Sequence, residues 1–377
     1  MNRYIGSIRK PVKRLRAEQY LLMTLLSFAG SVSLTRLFLE ITGYPQLGGG
    51  GLHIAHLLWG GLLLFIASLL PLIYANRWVY SLGAVLAGIG VGLFIDEVGK
   101  FITQNNNYFY PPAAPIIYAF FLITILIYLR VQKLPTNNPR TELYLALENF
   151  EEVLDHDLDA DERTEIVKRL QYVAQQEEET DFSRLAKELL HFLTSKRIDI
   201  APEFPSFSEK VNLKIQVFEK RYINSNRARI ILLCSVGALG LISLYRLLQF
   251  LLVLILPAYQ VNTISLLINK GLLDNSRGFN WYLLRLVLEG LVGVLLCTAA
   301  VFLGIRKEKS GVNLSFFGLL LSISIIDLFI FYFDQFSSII MAVIQFLVLL
   351  GLIHYRRTYL HSVNESTELS SSTTNNP

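Results

Sequence analysis

Apolar residues gather along this chain into windows of close to 20, separated by short polar or glycine-rich stretches. Eight windows stand out, at roughly 20–41, 52–75, 79–102, 113–131, 229–257, 281–304, 313–333 and 336–355. Each approaches the length a helix needs, at about 1.5 Å of rise per residue, to cross about 30 Å of hydrocarbon. The pattern predicts an all-α polytopic membrane protein with about eight transmembrane helices. Between the fourth and fifth windows the pattern changes. From about 132 to 228 apolar positions recur at amphipathic spacing, as in "TELYLALENFEEVL" and "TDFSRLAKELLHFL", which predicts soluble helices. Asp159 and Glu162 stand at capping-box spacing at the start of one of them. The alternating acids of "DHDLDADERTEI" imitate a calcium loop, but Ala160 occupies the obligatory glycine position and Ile166 that of the bidentate Glu.

Composition agrees with the membrane reading: 53% of residues are hydrophobic and only 17% charged, with a mean hydropathy of +0.44. An ordinary soluble protein is markedly more polar. Lys and Arg then set the expected orientation. The stretch "MNRYIGSIRKPVKRLR" carries six before the first window, and "GYPQLGGGG" and "NNNYFYPP" carry none. Basic loops stay cytoplasmic, so both termini and the middle segment are expected inside, in the plasma (inner) membrane. Lys270 and Arg277 fall in the expected outer loop at 258–280, against the trend. Arg36 and Glu40 within the first window, and the lack of a small-residue cleavage site after it, indicate an uncleaved anchor. The expected organisation is a basic N-terminus (1–19), a first four-helix set (20–131), a soluble cytoplasmic helical insert (132–228), a second four-helix set (229–357) and a disordered Ser/Thr/Asn-rich tail (358–377).

The two sets resemble each other. "GSVSLTRLFLE" aligns with "GLISLYRLLQF", matching Arg36 to Arg246, and "LFIDEVG" meets "SIIDLFI", matching Asp96 to Asp327. "HLLWGGLL" meets "RLVLEGLV", and "LIYLR" meets "LIHYR". Two four-helix repeats in the same orientation are therefore expected, related by an axis along the membrane normal.

Ionisable residues inside the windows converge on the outer third: Arg36, Glu40, His53, His56, Asp96, Glu97 and Lys100 in the first set, and Arg246, Arg285, Glu289, Asp327 and Asp334 in the second. Burying such groups is costly and calls for partners. The expected structural charge pairs are Arg36 with Asp96 and Arg246 with Asp327. Gly88, Gly92, Asp96 and Lys100 share one helical stripe, which lets a neighbouring helix approach and turns Asp96 into the bundle. His53, His56, Glu97 and Lys100 have no charged counterpart of the same kind in the second set. With Glu40 and Asp96 they form the candidate polar site. Imidazole and carboxylate together suit a zinc-like divalent ion, so His53, His56, Asp96 and Glu97 are the candidate metal ligands. Neither an H-E-x-x-H motif, a glycine-rich phosphate loop, a nucleophile elbow nor a CxxC pair occurs. Cys234 and Cys297 lie within apolar windows as packing residues.

The ordered set "HIAHLLWGG", "FIDEVGKF" and "YFYPPAAPIIY" is similar to stretches in uncharacterised bacterial multi-pass membrane proteins, over about residues 50–120. The resemblance implies a bacterial plasma membrane and no particular chemistry. Three functions fit the sequence: a carrier or permeation protein for an ion or small solute, a membrane-embedded metal-dependent hydrolase, and a structural or assembly protein. Its partners would be the lipid bilayer and, through 132–228, a cytoplasmic protein. Nothing points to nucleic acid.

Overall fold

The computed structural model describes residues 11–43, 55–105, 107–108, 110–132, 138–176, 180–195, 225–269 and 276–360. Every regular element among them is helical. Seven helices are long and apolar enough to cross a membrane: Ala17–Thr42, His56–Ile73, Trp78–Asp96, Ala113–Val131, Ser225–Ile255, Gly278–Gly304 and Glu308–Asp334. The expected eighth, Ile339–Tyr355, is apolar but has 17 residues, a rise of about 26 Å. Leu72, Ile41, Leu126 and Leu254 are among many large apolar side chains left uncovered on these helices. An apolar exterior of this extent matches lipid and not water.

Packing divides the chain into two bodies, Met1–Glu97 with Ile123–Lys210, and Val98–Leu122 with Val211–Pro377. The division runs through the fourth apolar helix, Ala113–Val131.

In the first body, α1 (Ala17–Thr42) and α2 (His56–Ile73) both pack on α3 (Trp78–Asp96). Glycines set the spacing. A Cβ on Gly92 would lie 2.8 Å from Ser31 Cβ, and one on Gly60 would lie 2.7 Å from the Gly90 carbonyl oxygen. One on Gly88 would strike Ser27 and the Thr24 carbonyl. The Ser31 hydroxyl donates to the Ile89 carbonyl at 3.2 Å across the same seam. Small residues let backbones meet at this range, where dispersion and interhelical hydrogen bonds replace the missing hydrophobic drive.

The insert of this body holds α4 (Pro139–Leu154), α5 (Ala160–Ala174) and α6 (Asp181–Thr194) around Leu143, Ala146, Leu158, Ile166, Leu170, Val173, Ala186 and Leu193. Asp159 and Glu162 form the expected capping box, and Thr180 with Ser183 forms another. Arg16 meets Glu162 at 2.8 Å, the Leu15 amide donates to Glu148 at 2.8 Å, and Arg77 pairs with Glu152. The start of α1, the α2–α3 turn and the insert thus share one end of this body.

In the second body, α7 (Ser225–Ile255) and α9 (Ser276–Gly304) form the tightest pair, and α10 (Glu308–Leu321) packs on α9. A Cβ on Gly240 would lie 2.8 Å from Cys297 Sγ, and one on Gly293 2.7 Å from the Leu244 amide. The middle helix is therefore the second of the set here and the third in the first body.

Three further differences from the sequence reading have local causes. The expected outer loop at 258–280 contains a helix, α8 (Pro257–Asn269), because Pro257 suits a first helical turn and Ala258, Val261, Ile264 and Ile268 recur at helical spacing between its polar residues. The third window breaks at Glu97, with only the short helix Val98–Ile102 following. The last helix, α12 (Ile339–Tyr355), continues as a π turn at Arg356–Leu360, whose last three residues fall in the segment expected to be a disordered tail; residues from 361 lie outside the described ones. A second π turn, Ser322–Ile326, joins α10 to α11 (Asp327–Asp334). Such turns often mark functional sites.

Candidate functional site

The first cluster sits where α1, α2 and α3 meet, about 30 Å along α1 from the Arg16 end. Gly88 and Gly92 seat α3 on Ser27 and Ser31, and one turn further the same stripe brings Asp96 to Arg36. Arg36 Nε donates to Asp96 Oδ1 at 2.5 Å, and its Nη2 donates to the Asp96 carbonyl at 2.9 Å. That carbonyl ends α3, where the helix dipole is negative and a cation is favoured. His56 opens α2. Its Nε2 lies 3.1 Å from Asp96 Oδ2 and its Nδ1 lies 3.1 Å from Glu97 Oε1. Asp96 and Glu97 are both fully buried, Arg36 nearly so, and His56 is 21% exposed.

Both ring nitrogens of His56 therefore face carboxylates. A neutral imidazole has one N–H and so donates to only one of the two acids; the other contact is a hydrogen bond when the ring carries a second proton or when that acid is protonated and donates to the ring. A ring nitrogen that donates to an acid has no lone pair to offer a metal. Among the described residues no three His, Cys, Asp or Glu side chains are placed to hold a metal ion. His53, the fourth expected ligand, lies outside the described residues. Glu40 is exposed on α1, and Lys100 is partly buried with its Nζ 5.2 Å from the centre of the Tyr108 ring. Of the six expected residues, His56, Asp96 and Glu97 stand in contact, with Arg36 as the cation beside Asp96.

The second cluster is arranged differently. The expected Arg246–Asp327 pair is replaced by a network on the neighbouring helix. Arg246 on α7 reaches Gln249 Oε1 at 3.2 Å, Glu289 at 3.5 Å and Asp334 at 3.9 Å. Arg285 holds Glu289 at 2.5 Å, one helical turn along α9, and Asp334 at 2.5 Å. The packing order is the cause: α7 lies on α9, so Arg246 meets Glu289 there, with Asp334 at the end of α11 beyond it. Asp327 instead takes the Tyr118 hydroxyl at 3.3 Å and side-chain hydrogen bonds from Gln345 and Ser322. Tyr118 also donates to the Ile323 carbonyl at 2.7 Å, inside the π turn.

Beside this network lies a cavity of about 350 Å³. Arg246, Arg285, Glu289, Asp334, Ser322 and Gln345 give its walls their polar character. Arg246 and Asp334 are about one-third exposed, whereas Arg285 is almost wholly buried. Away from this polar region the core is apolar, through Val236, Ala299, Leu303 and Leu352. Sequence reasoning placed Arg246, Arg285, Glu289 and Asp334 in a polar layer but passed over Ser322 and Gln345. The available signal was Gln345, a lone amide within "MAVIQFLVLL".

No family model, curated protein or solved structure matches this chain.

Proposed function

We propose that this chain is a multi-pass plasma-membrane protein that carries a small polar solute, with the second body's cavity as its binding chamber. The observation that supports this reading is a cavity of about 350 Å³ with charged walls, set among apolar helices long enough to span a bilayer. Its volume lies in the range of small-molecule sites. The apolar core around Val236 and Leu303 favours alternating access over an open pore. In the proposed orientation both termini and the insert are cytoplasmic, and the cavity faces outward.

The test is flux in proteoliposomes, with labelled β-alanine, acetate, ethylammonium and rubidium as probes. Uptake of at least one probe above empty vesicles, cut several-fold by Arg246→Gln, is the expected result. Background flux for all four would end the carrier reading. Reporters fused after Pro205 and Pro377 should be cytoplasmic and one within "QLGGGG" external; an external insert would reverse the proposed orientation.

A second reading, in which the insert docks a cytoplasmic protein, draws support from Phe182, Leu185 and Phe192, large apolar side chains left exposed on α6.

A further inference from the structure

We infer that the cavity of the second body takes a zwitterion: a small group bearing one anionic and one ammonium centre a few ångströms apart. The inference rests on the carrier reading for its physiological sense, but the binding it describes stands apart from transport.

Charge balance is the first argument. Four charged side chains line the cavity, Arg246, Arg285, Glu289 and Asp334, and their formal charges cancel. A net anion or cation entering such a chamber would bring an uncompensated charge into a low-dielectric region. A zwitterion leaves the sum unchanged and can add an ion pair at each end.

The unequal grip of the two arginines is the second. Arg285 is locked, with both acids at 2.5 Å. Arg246 is loosely held, with Glu289 at 3.5 Å and Asp334 at 3.9 Å. The wider gap lies between the two partly exposed residues, Arg246 and Asp334, whose side chains are 36% and 31% exposed. A carboxylate or phosphate can take Arg246 while an ammonium takes Asp334, without disturbing the Arg285 lock.

Spare hydrogen-bonding capacity is the third. Arg285 Nη1 and Gln345 Oε1 are buried with no hydrogen-bond partner, one a donor and the other an acceptor, and both residues line the cavity. Buried polar groups without partners are rare and costly. An amphoteric ligand can bring an acceptor to the first and a donor to the second. The same chemistry occurs in free amino acids and in the phosphoethanolamine headgroup of a lipid.

The test uses the purified full-length protein in detergent. β-Alanine and glycerophosphoethanolamine, whose phosphodiester carries a single negative charge, serve as zwitterionic probes, with acetate and ethylammonium as single-charge controls. At a probe concentration well above its Kd, a zwitterion should raise Tm by roughly 3 °C, and the controls should not. Arg246→Gln should weaken zwitterion binding at least about tenfold. If that variant is itself unstable, Arg246→Lys, which keeps the charge, should retain part of the binding. A response to glycerophosphoethanolamine but not β-alanine, with higher Tm in nanodiscs containing phosphatidylethanolamine than in phosphatidylglycerol alone, assigns the source to lipid. A response to β-alanine assigns it to a free solute. Equal shifts with acetate or ethylammonium, no shift with either zwitterion, or full binding by Arg246→Gln would overturn the inference. Zwitterion binding without flux would overturn the carrier reading alone, and flux of acetate or rubidium without zwitterion binding would overturn the ligand class alone.

Discussion

The two bodies use the same residue types for different ends. In the first, α3 lies between α1 and α2 at glycine contact, and Arg36, His56, Asp96 and Glu97 fill the space at its end. In the second, α9 takes the central place, and Arg246, Arg285, Glu289 and Asp334 stand around a cavity. One cluster is a lock and the other the wall of a chamber. What separates them is which helix is central, and hence which acid each arginine meets. Charged residues at matching sequence positions are thus weak guides to shared roles until the packing order is known.

The comparison breaks most visibly at the arginines. Arg36→Ala should cost about 3–5 kcal/mol, because it strips the cation from a fully buried Asp96. The double change Arg36→Ala with Asp96→Ala should cost less than that single change. Arg246→Ala, at a loosely paired and partly exposed site, should cost about 1 kcal/mol or less. A thermal-stability cycle on all four proteins reads these values, and similar losses for Arg36→Ala and Arg246→Ala would erase the distinction.

Helix spacing gives the next largest effect. Gly92→Val forces side-chain atoms into the α1–α3 seam and should cost about 1–3 kcal/mol. Gly237→Ala in the second body, where the new Cβ would lie 3.7 Å from Ala300 Cβ, should be neutral or stabilising. Denaturant unfolding of the two variants compares them directly. Tyr118→Phe follows, at about 1–2 kcal/mol, since it removes a donor shared by Asp327 and the Ile323 carbonyl. Faster amide exchange through residues 322–327 would locate that loss, and unchanged exchange would count against the hydroxyl's role.

The smallest effect concerns the insert, where acids crowd one another. Burial, reinforced by Glu152, raises the Glu162 carboxyl above its ordinary value, and burial with Glu148 raises Glu151. A raised folded-state value means the folded form holds the proton more tightly. Its contribution to stability is full below the ordinary value near 4.5 and is lost as pH rises through the raised one. The amides of the insert should therefore show slightly higher protection factors, relative to their intrinsic exchange rates, near pH 5 than at neutrality. Glu162→Gln should flatten that difference, and a steeper one would reverse the assignment.

Much of the fold was legible. Seven apolar helices follow from window length, and the Asp159–Glu162 cap follows from spacing alone. The Gly88–Gly92–Asp96 stripe pointed to the contact with Arg36 because helical period and burial cost act within a single segment. The partner of Arg246 was not legible. It depends on whether the second or third helix of a set is central, and a hydropathy profile is nearly the same for either order. The helix at Pro257–Asn269 was missed because its polar residues Gln260, Asn262 and Thr263 resemble a loop. The cavity was missed because Ser322 and Gln345 are uncharged and carry weight only once they face it.

The π turn at Ser322–Ile326 leaves a trace that reaches past its own five residues. A π turn holds one more residue than the α turn it replaces, so it acts as a one-residue insertion within an otherwise regular rod. The extra residue widens one turn, so the helix beyond keeps roughly the direction it would have without it. Removing a single residue from the π turn would therefore rejoin the rod nearly in phase, with Asp327 still toward Tyr118 and Asp334 still toward Arg285. The same deletion in the regular α turns on either side would swing everything beyond it by about 100°. Within this rod, the π turn is the place where a three-nucleotide deletion is absorbed as a surface loop would absorb it.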